Sequence, residues 1–188
     1  MNKLLASTAC AIFLLSSLAH GQSIGEKTGV NSTLGISPST QDFVTEAANS
    51  DMLEIAAAKL AQERGNADEK KFAQQMITDH TKTSTELKGL VSGGKVKAEL
   101  PTALDSSHQS KLDKLKAAND SDFASEFSSM QVSAHKDAVD LFERYAKGGD
   151  NPDLKDWAGK TLPGLQHHLQ MAQDLDKARP AATTGERR

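Results

Sequence analysis

Apolar residues recur at helical spacing in four long stretches of the chain and one short one. The stretch with the clearest period is DEKKFAQQMITDHTKTSTELKGLV, from Asp68 to Val91. At about 100° per residue, Phe72, Ala73, Met76, Ile77, Leu87, Leu90 and Val91 share one broad face. His80 falls inside that face. An ionisable ring on the buried side of a helix needs a partner, because desolvation disfavours its charged form.

The remaining helices follow from the same period and from their punctuation. The first long helix is expected from about Gln41 to Arg64, capped by Ser39 or Thr40 and closed by Gly65. Phe43, Ala47, Ser50, Glu54, Ala57, Ala58 and Ala61 form its stripe. Glu54 stands there among small residues that let a neighbouring helix approach. Asn66 caps the second helix, at about Ala67 to Val91, and Gly93-Gly94 stop it. A short helix is expected at Ala103 to Ala118, with Leu104, Leu112 and Leu115 as its contacts and His108 at the surface. Asn119-Asp120-Ser121 opens the next, about Asp122 to Lys147. Its stripe is Phe123, Phe127, Met130, Ala134, Ala138, Leu141, Phe142 and Tyr145, with His135 at the margin. The last begins at Asn151-Pro152, where a missing N–H costs little, and ends near Lys177. Leu154, Ala158, Leu162, Leu165, Leu169 and Ala172 define its inner face. That face includes His168, while His167 points away. Pro163 inside this helix removes a backbone bond one turn before the histidines and predicts a kink.

Short turns within each pair and one long connection between the pairs define the expected architecture. It is all-α: a ferritin-like four-helix bundle of two antiparallel hairpins with a short helix in the crossover. The two hairpins begin alike, at Asp42-Phe43 and Asp122-Phe123.

The ends of the chain have a different character. MNKLLASTACAIFLLSSLAHGQ carries a short positive n-region at Lys3, an apolar run from Leu4 to Leu18, and the small-x-small site Ala19-His20-Gly21. This is the pattern of a secretory signal peptide over residues 1–21, and the run is shorter than the roughly 20 residues of a membrane span. Cleavage there removes Lys3 and Cys10, the single cysteine, and moves the net charge from −3 to −4. The expected location is periplasmic or secreted, without disulfide or thiol chemistry. Residues 22–39, rich in Gly and Ser, are expected as a flexible linker, 40–177 as the helical domain, and 178–188 as a disordered tail. A mildly acidic chain without a basic stripe argues against nucleic acid, and no later apolar run is long enough to cross a membrane. No particular protein partner and no oligomeric state are assigned from the sequence.

The chain resembles a bacterial envelope family of unknown function, ferritin-like in fold and often labelled "predicted outer membrane protein". The residues that carry the resemblance are Asp42-Phe43, Glu54-Ile55, Phe72-Ala73, Met76, Asp79-His80, His135, Leu141-Phe142, Trp157-Ala158, Thr161-Leu162-Pro163 and His168-Leu169. It spans about Thr40 to Lys177. It implies a soluble helical bundle in the periplasm or envelope, despite the label, and no established activity.

Glu54, His80, His135 and His168 all fall near the middle of their helices, and four polar groups at one level of a bundle are how such folds build metal sites. The plainer reading is a non-enzymatic protein whose histidines form a structural hydrogen-bond network. The alternative is one transition-metal ion, Cu, Zn or Fe, held for storage, delivery or sensing, with Met76 and Met171 as candidate soft ligands. A metal-dependent redox enzyme on the same site is the second alternative. Ile77 and Leu165 stand where a di-iron protein would carry the Glu of Glu-x-x-His, so a two-metal ferroxidase site is not expected. No catalytic residue is assigned, since no nucleophile motif or phosphate loop is present.

Overall fold

A computed structural model describes residues 23–27 and 29–178. The expected signal peptide at 1–21 and residues 179–188 of the expected tail lie outside them. The described residues are all-helical, without strands. They form α1 (Ile24–Lys27), α2 (Val30–Thr33), α3 (Thr40–Arg64), α4 (Ala67–Ser92), α5 (Ser106–Ala117), α6 (Asp120–Gly148) and α7 (Pro152–Lys177). None is long and apolar enough to cross a membrane.

The caps expected from sequence set the helix starts. The Ser39 hydroxyl accepts the Asp42 N–H, Asn119 accepts that of Asp122, and Asn151 that of Leu154. At α4, Asn66 accepts the Glu69 N–H while Glu69 accepts the Asn66 N–H at 2.7 Å, a reciprocal pair that satisfies two orphan donors. Gly65 is required by close approach: a Cβ there would stand 2.6 Å from the Ala61 carbonyl oxygen and 2.9 Å from the Glu69 Cβ. The resulting tight turn folds α4 back onto α3. Residues 149–151 likewise fold α7 back onto α6, and α3 also meets α6 while α4 meets α7. The long connection at 93–119 carries α5, which lies on α3 and α6. α7 stays helical through Pro163, whose ring is exposed.

Two apolar layers fill the interior. One joins the start of α3 to the ends of α4 and α6 and the start of α7. Phe43 is its centre, stacked on Tyr145 at 4.2 Å between centroids and edge-on to Phe142 at 4.9 Å. The other joins the end of α3 to the starts of α4 and α6, through Leu53, Ala57, Phe72, Met76 and Phe127, with Leu112 and Leu115 of α5. Between the layers the side chains change to Asp51, Glu54, His80, Gln131, His135 and His168, all buried.

The segment 22–39, expected as a flexible linker, is corrected over its described residues, 23–27 and 29–39: they carry α1 and α2 and are docked. Arg144 of α6 donates to Glu26 Oε1 at 2.7 Å, to the Ile36 carbonyl at 2.7 Å and to Asp140 at 2.8 Å. Both ends of the Glu26–Arg144 pair are buried. The Ser23 N–H adds a bond to Asp42 Oδ1 at 2.7 Å and the Ser32 hydroxyl one to Asp140 at 2.8 Å. A buried guanidinium demands a counter-charge, and the glycine-rich segment bends to supply it. His108, expected at the surface, is also buried: Asp105 caps α5 and takes the His108 Nδ1 at 3.0 Å, while Glu46 of α3 lies 3.8 Å from its Nε2.

Arg144→Ala is expected to cost about 3–5 kcal/mol, because it leaves Glu26 buried without its partner. Limited proteolysis should then cut within residues 23–36, where the unmutated protein resists. The Glu46 carboxyl is pushed up to about 7 by burial and by the charges of Asp105 and Glu26, with Lys111 pulling it down. Its folded value exceeds its unfolded one. The stability it contributes is therefore full below the ordinary carboxylate value and is lost as pH rises through about 7. Glu46→Gln should raise stability at pH 8 by on the order of 1–3 kcal/mol and change it little at pH 4, as thermal melts at the two pH values would register.

Candidate metal centre

The three helix-borne histidines expected to face inward meet at one point. The ring centroids of His80 and His135 are 5.6 Å apart, those of His80 and His168 5.4 Å, and those of His135 and His168 5.5 Å. One ligating nitrogen from each ring lies within 4.8 Å of the other two, and all three residues are buried. A tetrahedral ion with nitrogens at about 2.1 Å would set them about 3.4 Å apart, so small ring rotations would close the set on an ion.

Each ring is held by its outer edge. His80 Nδ1 donates to Asp51 Oδ1 at 2.8 Å, and Asp51 is braced in turn by the hydroxyls of Thr83 at 2.9 Å and Ser84 at 3.0 Å. His135 Nδ1 donates to the Gln131 carbonyl at 2.9 Å, one turn back on α6. His168 Nε2 donates to Asp79 Oδ2 across the α4–α7 contact at 2.8 Å. Carbonyl and carboxylate oxygens only accept, so these bonds put a proton on His80 Nδ1, His135 Nδ1 and His168 Nε2. The opposite nitrogens, His80 Nε2, His135 Nε2 and His168 Nδ1, are buried and have no partner. An outer acceptor that fixes the tautomer and frees the other nitrogen is the arrangement that metal-binding histidines use.

Glu54 belongs to the same layer but stands outside the 4.8 Å set. Neither of its oxygens makes a well-aligned hydrogen bond, and neither does either polar atom of the Gln131 side chain, although the Gln131 amide stands near enough to favour the charged carboxylate. All the unpartnered buried side-chain polar atoms among the described residues come from Glu54, His80, Gln131, His135 and His168. Native interiors leave few such groups, so a concentration of them in one layer calls for an explanation.

The charge states follow from the surroundings. Burial raises the Glu54 carboxyl above the ordinary range, against the pull of His80, Gln131 and His168. Burial drives His135 down to about 4, helped by the charge of His80. It drives His168 down to about 4 as well, although Asp79 opposes it. Both rings are therefore neutral at neutral pH, with a lone pair toward the centre. In His80 burial also works downward, but the bond and charge of Asp51, joined by Glu54 and Asp79, outweigh it and leave the ring above its usual value.

The structure thus brings together His80, His135 and His168, with Glu54 buried in the same layer. Met76 is fully buried in the apolar layer with Phe72 and Phe127, and Met171 packs half-buried against that layer. Asp51, Thr83, Ser84 and the Gln131 carbonyl are missing from the sequence reading. Asp51 lies three residues before Glu54, and Thr83 and Ser84 lie one turn after His80, so helical spacing put them on the right faces. Asp79, next to His80 in sequence, serves His168.

Glu54→Met separates a structural network from an arrangement held for a ligand. Removing a carboxyl with two unpartnered oxygens should stabilise the metal-free protein by about 1–3 kcal/mol in denaturant melts. A loss of that size would mean that Glu54 is a satisfied member of a structural network.

Searches of curated proteins and of solved structures each gave no match. A family model described as "Domain of unknown function (DUF4142)" matches residues 25–175, which span all seven helices apart from their outermost residues, and the chain belongs to that family.

Proposed function

We propose that this protein is an exported envelope protein that binds one transition-metal ion through His80, His135 and His168, with Glu54 as the adjoining carboxylate. The observation that carries the reading is the set of three buried imidazoles, each pinned on its outer edge with its inner nitrogen unpartnered. A purely structural network would leave those nitrogens, and the Glu54 oxygens, paired with one another.

The proposed fold is ferritin-like. The tight turn between α3 and α4, the equally close α6–α7 pair and the crossover carrying α5 support it. The proposed address is the periplasm, supported by the n-region, apolar run and small-x-small site of residues 1–21. Three imidazoles and a carboxylate suit Zn²⁺ or Cu²⁺, and Fe²⁺ less tightly. The two methionines are accounted for by the apolar layer, which weighs against a soft, sulfur-ligated Cu(I) site. Binding for storage, delivery or sensing fits a buried centre better than turnover does, because the inner nitrogens are each sealed from solvent.

Elemental analysis of the untagged mature protein, isolated without chelator, is expected to find about one metal ion per chain. His80→Ala, His135→Ala and His168→Ala should each lose it. A protein that stays metal-free after exposure to Zn²⁺, Cu²⁺ and Fe²⁺ would refute the reading.

A further inference from the structure

Two cavities flank the histidine layer from opposite sides. One, of about 540 Å³, lies among α3, α5, α6 and the N-terminal segment, and where it approaches the layer its wall is Leu53 and Ala134. The other, of about 530 Å³, is a groove between α4 and α7 whose wall includes His80, His168 and Asp79. Only the second touches residues of the centre.

The charges along this groove are sorted. Its three lysines are each paired: Lys82 with Glu86 at 3.9 Å, Lys95 with Asp153 at 3.7 Å and Lys160 with Asp156 at 2.6 Å. The remaining groove carboxylate, Asp79, has Gln75 and His168 as hydrogen-bond donors and no lysine. It therefore places negative charge at the inner end of a groove whose rim is neutralised.

The three rings are also held unequally. The tether of His80 is Asp51, whose side chain is 9% exposed and braced by two hydroxyls. That of His135 is a carbonyl of its own helix. That of His168 is Asp79, whose side chain is 34% exposed to the groove. Pro163, without an N–H, removes one backbone bond from α7 in the turn before His168.

We propose that the α4–α7 groove is the port through which a hydrated divalent cation enters and leaves the histidine centre, with Asp79 meeting it first and His168 the ring that swings to admit it. This rests on the metal-binding reading of the centre. Asp79 exchanges its bond to His168 for the cation, the freed ring turns, and the ion passes to the inner nitrogens. The bond then re-forms and fixes the His168 tautomer for ligation.

Gly164 offers a direct test. It is exposed, lies in the groove wall one turn before His168, and a Cβ there meets nothing within 4 Å. Gly164→Trp fills the groove from a position that is neither one of the three rings nor one of their tethers. With Zn²⁺ as the probe and a chromophoric chelator as the reporter, it should slow both association and dissociation by about tenfold or more while leaving the equilibrium affinity nearly unchanged. Asp79→Asn keeps an acceptor for His168 but removes the charge, and should slow association by about tenfold. Ser106→Trp, in the opposite cavity, should leave both rates unaltered. Zinc uptake by Gly164→Trp at the wild-type rate, or a slowing by Ser106→Trp instead, overturns the port while leaving the metal site standing. A wild-type protein that takes up no Zn²⁺, Cu²⁺ or Fe²⁺ overturns both.

Discussion

Three imidazole rings buried at one level, each needing a hydrogen-bond acceptor on its outer edge, constrain the rest of this molecule. Asp51 on α3 reaches His80 on α4, and Asp79 on α4 reaches His168 on α7. Each bond crosses a helix contact and fixes its register, because a helix displaced by one turn, about 5.4 Å, would lose it. The third ring is held within α6 itself. The apolar layers above and below then pack in the only register that leaves these bonds intact, with Phe43 against Tyr145 at one end and Phe72 near Phe127 at the other.

Helices and their boundaries were largely legible in the sequence because the signals are local. Ser39, Asn66, Asn119 and Asn151 each cap the helix that follows them, and the apolar stripes of α4, α6 and α7 face the interior as their spacing requires. The inward placement of Glu54, His80, His135 and His168 was legible for the same reason. What could not be read is which acceptor serves which ring. Asp51 and Asp79 are ordinary acidic residues on helical faces, and their roles depend on the distance and rotation between two helices. Asp79 illustrates the limit: its neighbour in sequence is His80, yet adjacent helical residues diverge by about 100°, so it turns to the helix next door.

The N-terminal segment failed the sequence reading for a different reason. Its Gly and Ser content removes any period, and composition was the only signal left. Its order comes from α6, where Arg144 is buried and three acceptors converge on it, Glu26, the Ile36 carbonyl and Asp140. One long-range charge pair decides the conformation of a segment that local sequence leaves open. His108 follows the same logic in part: Asp105 is the cap of its own helix, but Glu46 arrives from α3.

The polar layer runs against the economy of a helical core. Leu or Met at Glu54 and Phe at the histidine positions would fill the same space without unpartnered atoms, and the two flanking layers show that this chain builds such packing readily. A structural role for the layer needs only the outer bonds, from His80 to Asp51 and from His168 to Asp79, which already set the register. It gives no reason for three inner nitrogens to converge unpaired, with an unpaired carboxylate buried in the same layer. Unpaired polar atoms persist in a folded protein when something outside the chain completes them, or when the strain they impose serves a function. The lone pairs of His135 and His168, joined by that of His80 once it gives up its second proton, have one common completion in protein chemistry, a metal cation, and it would satisfy every inner nitrogen at once.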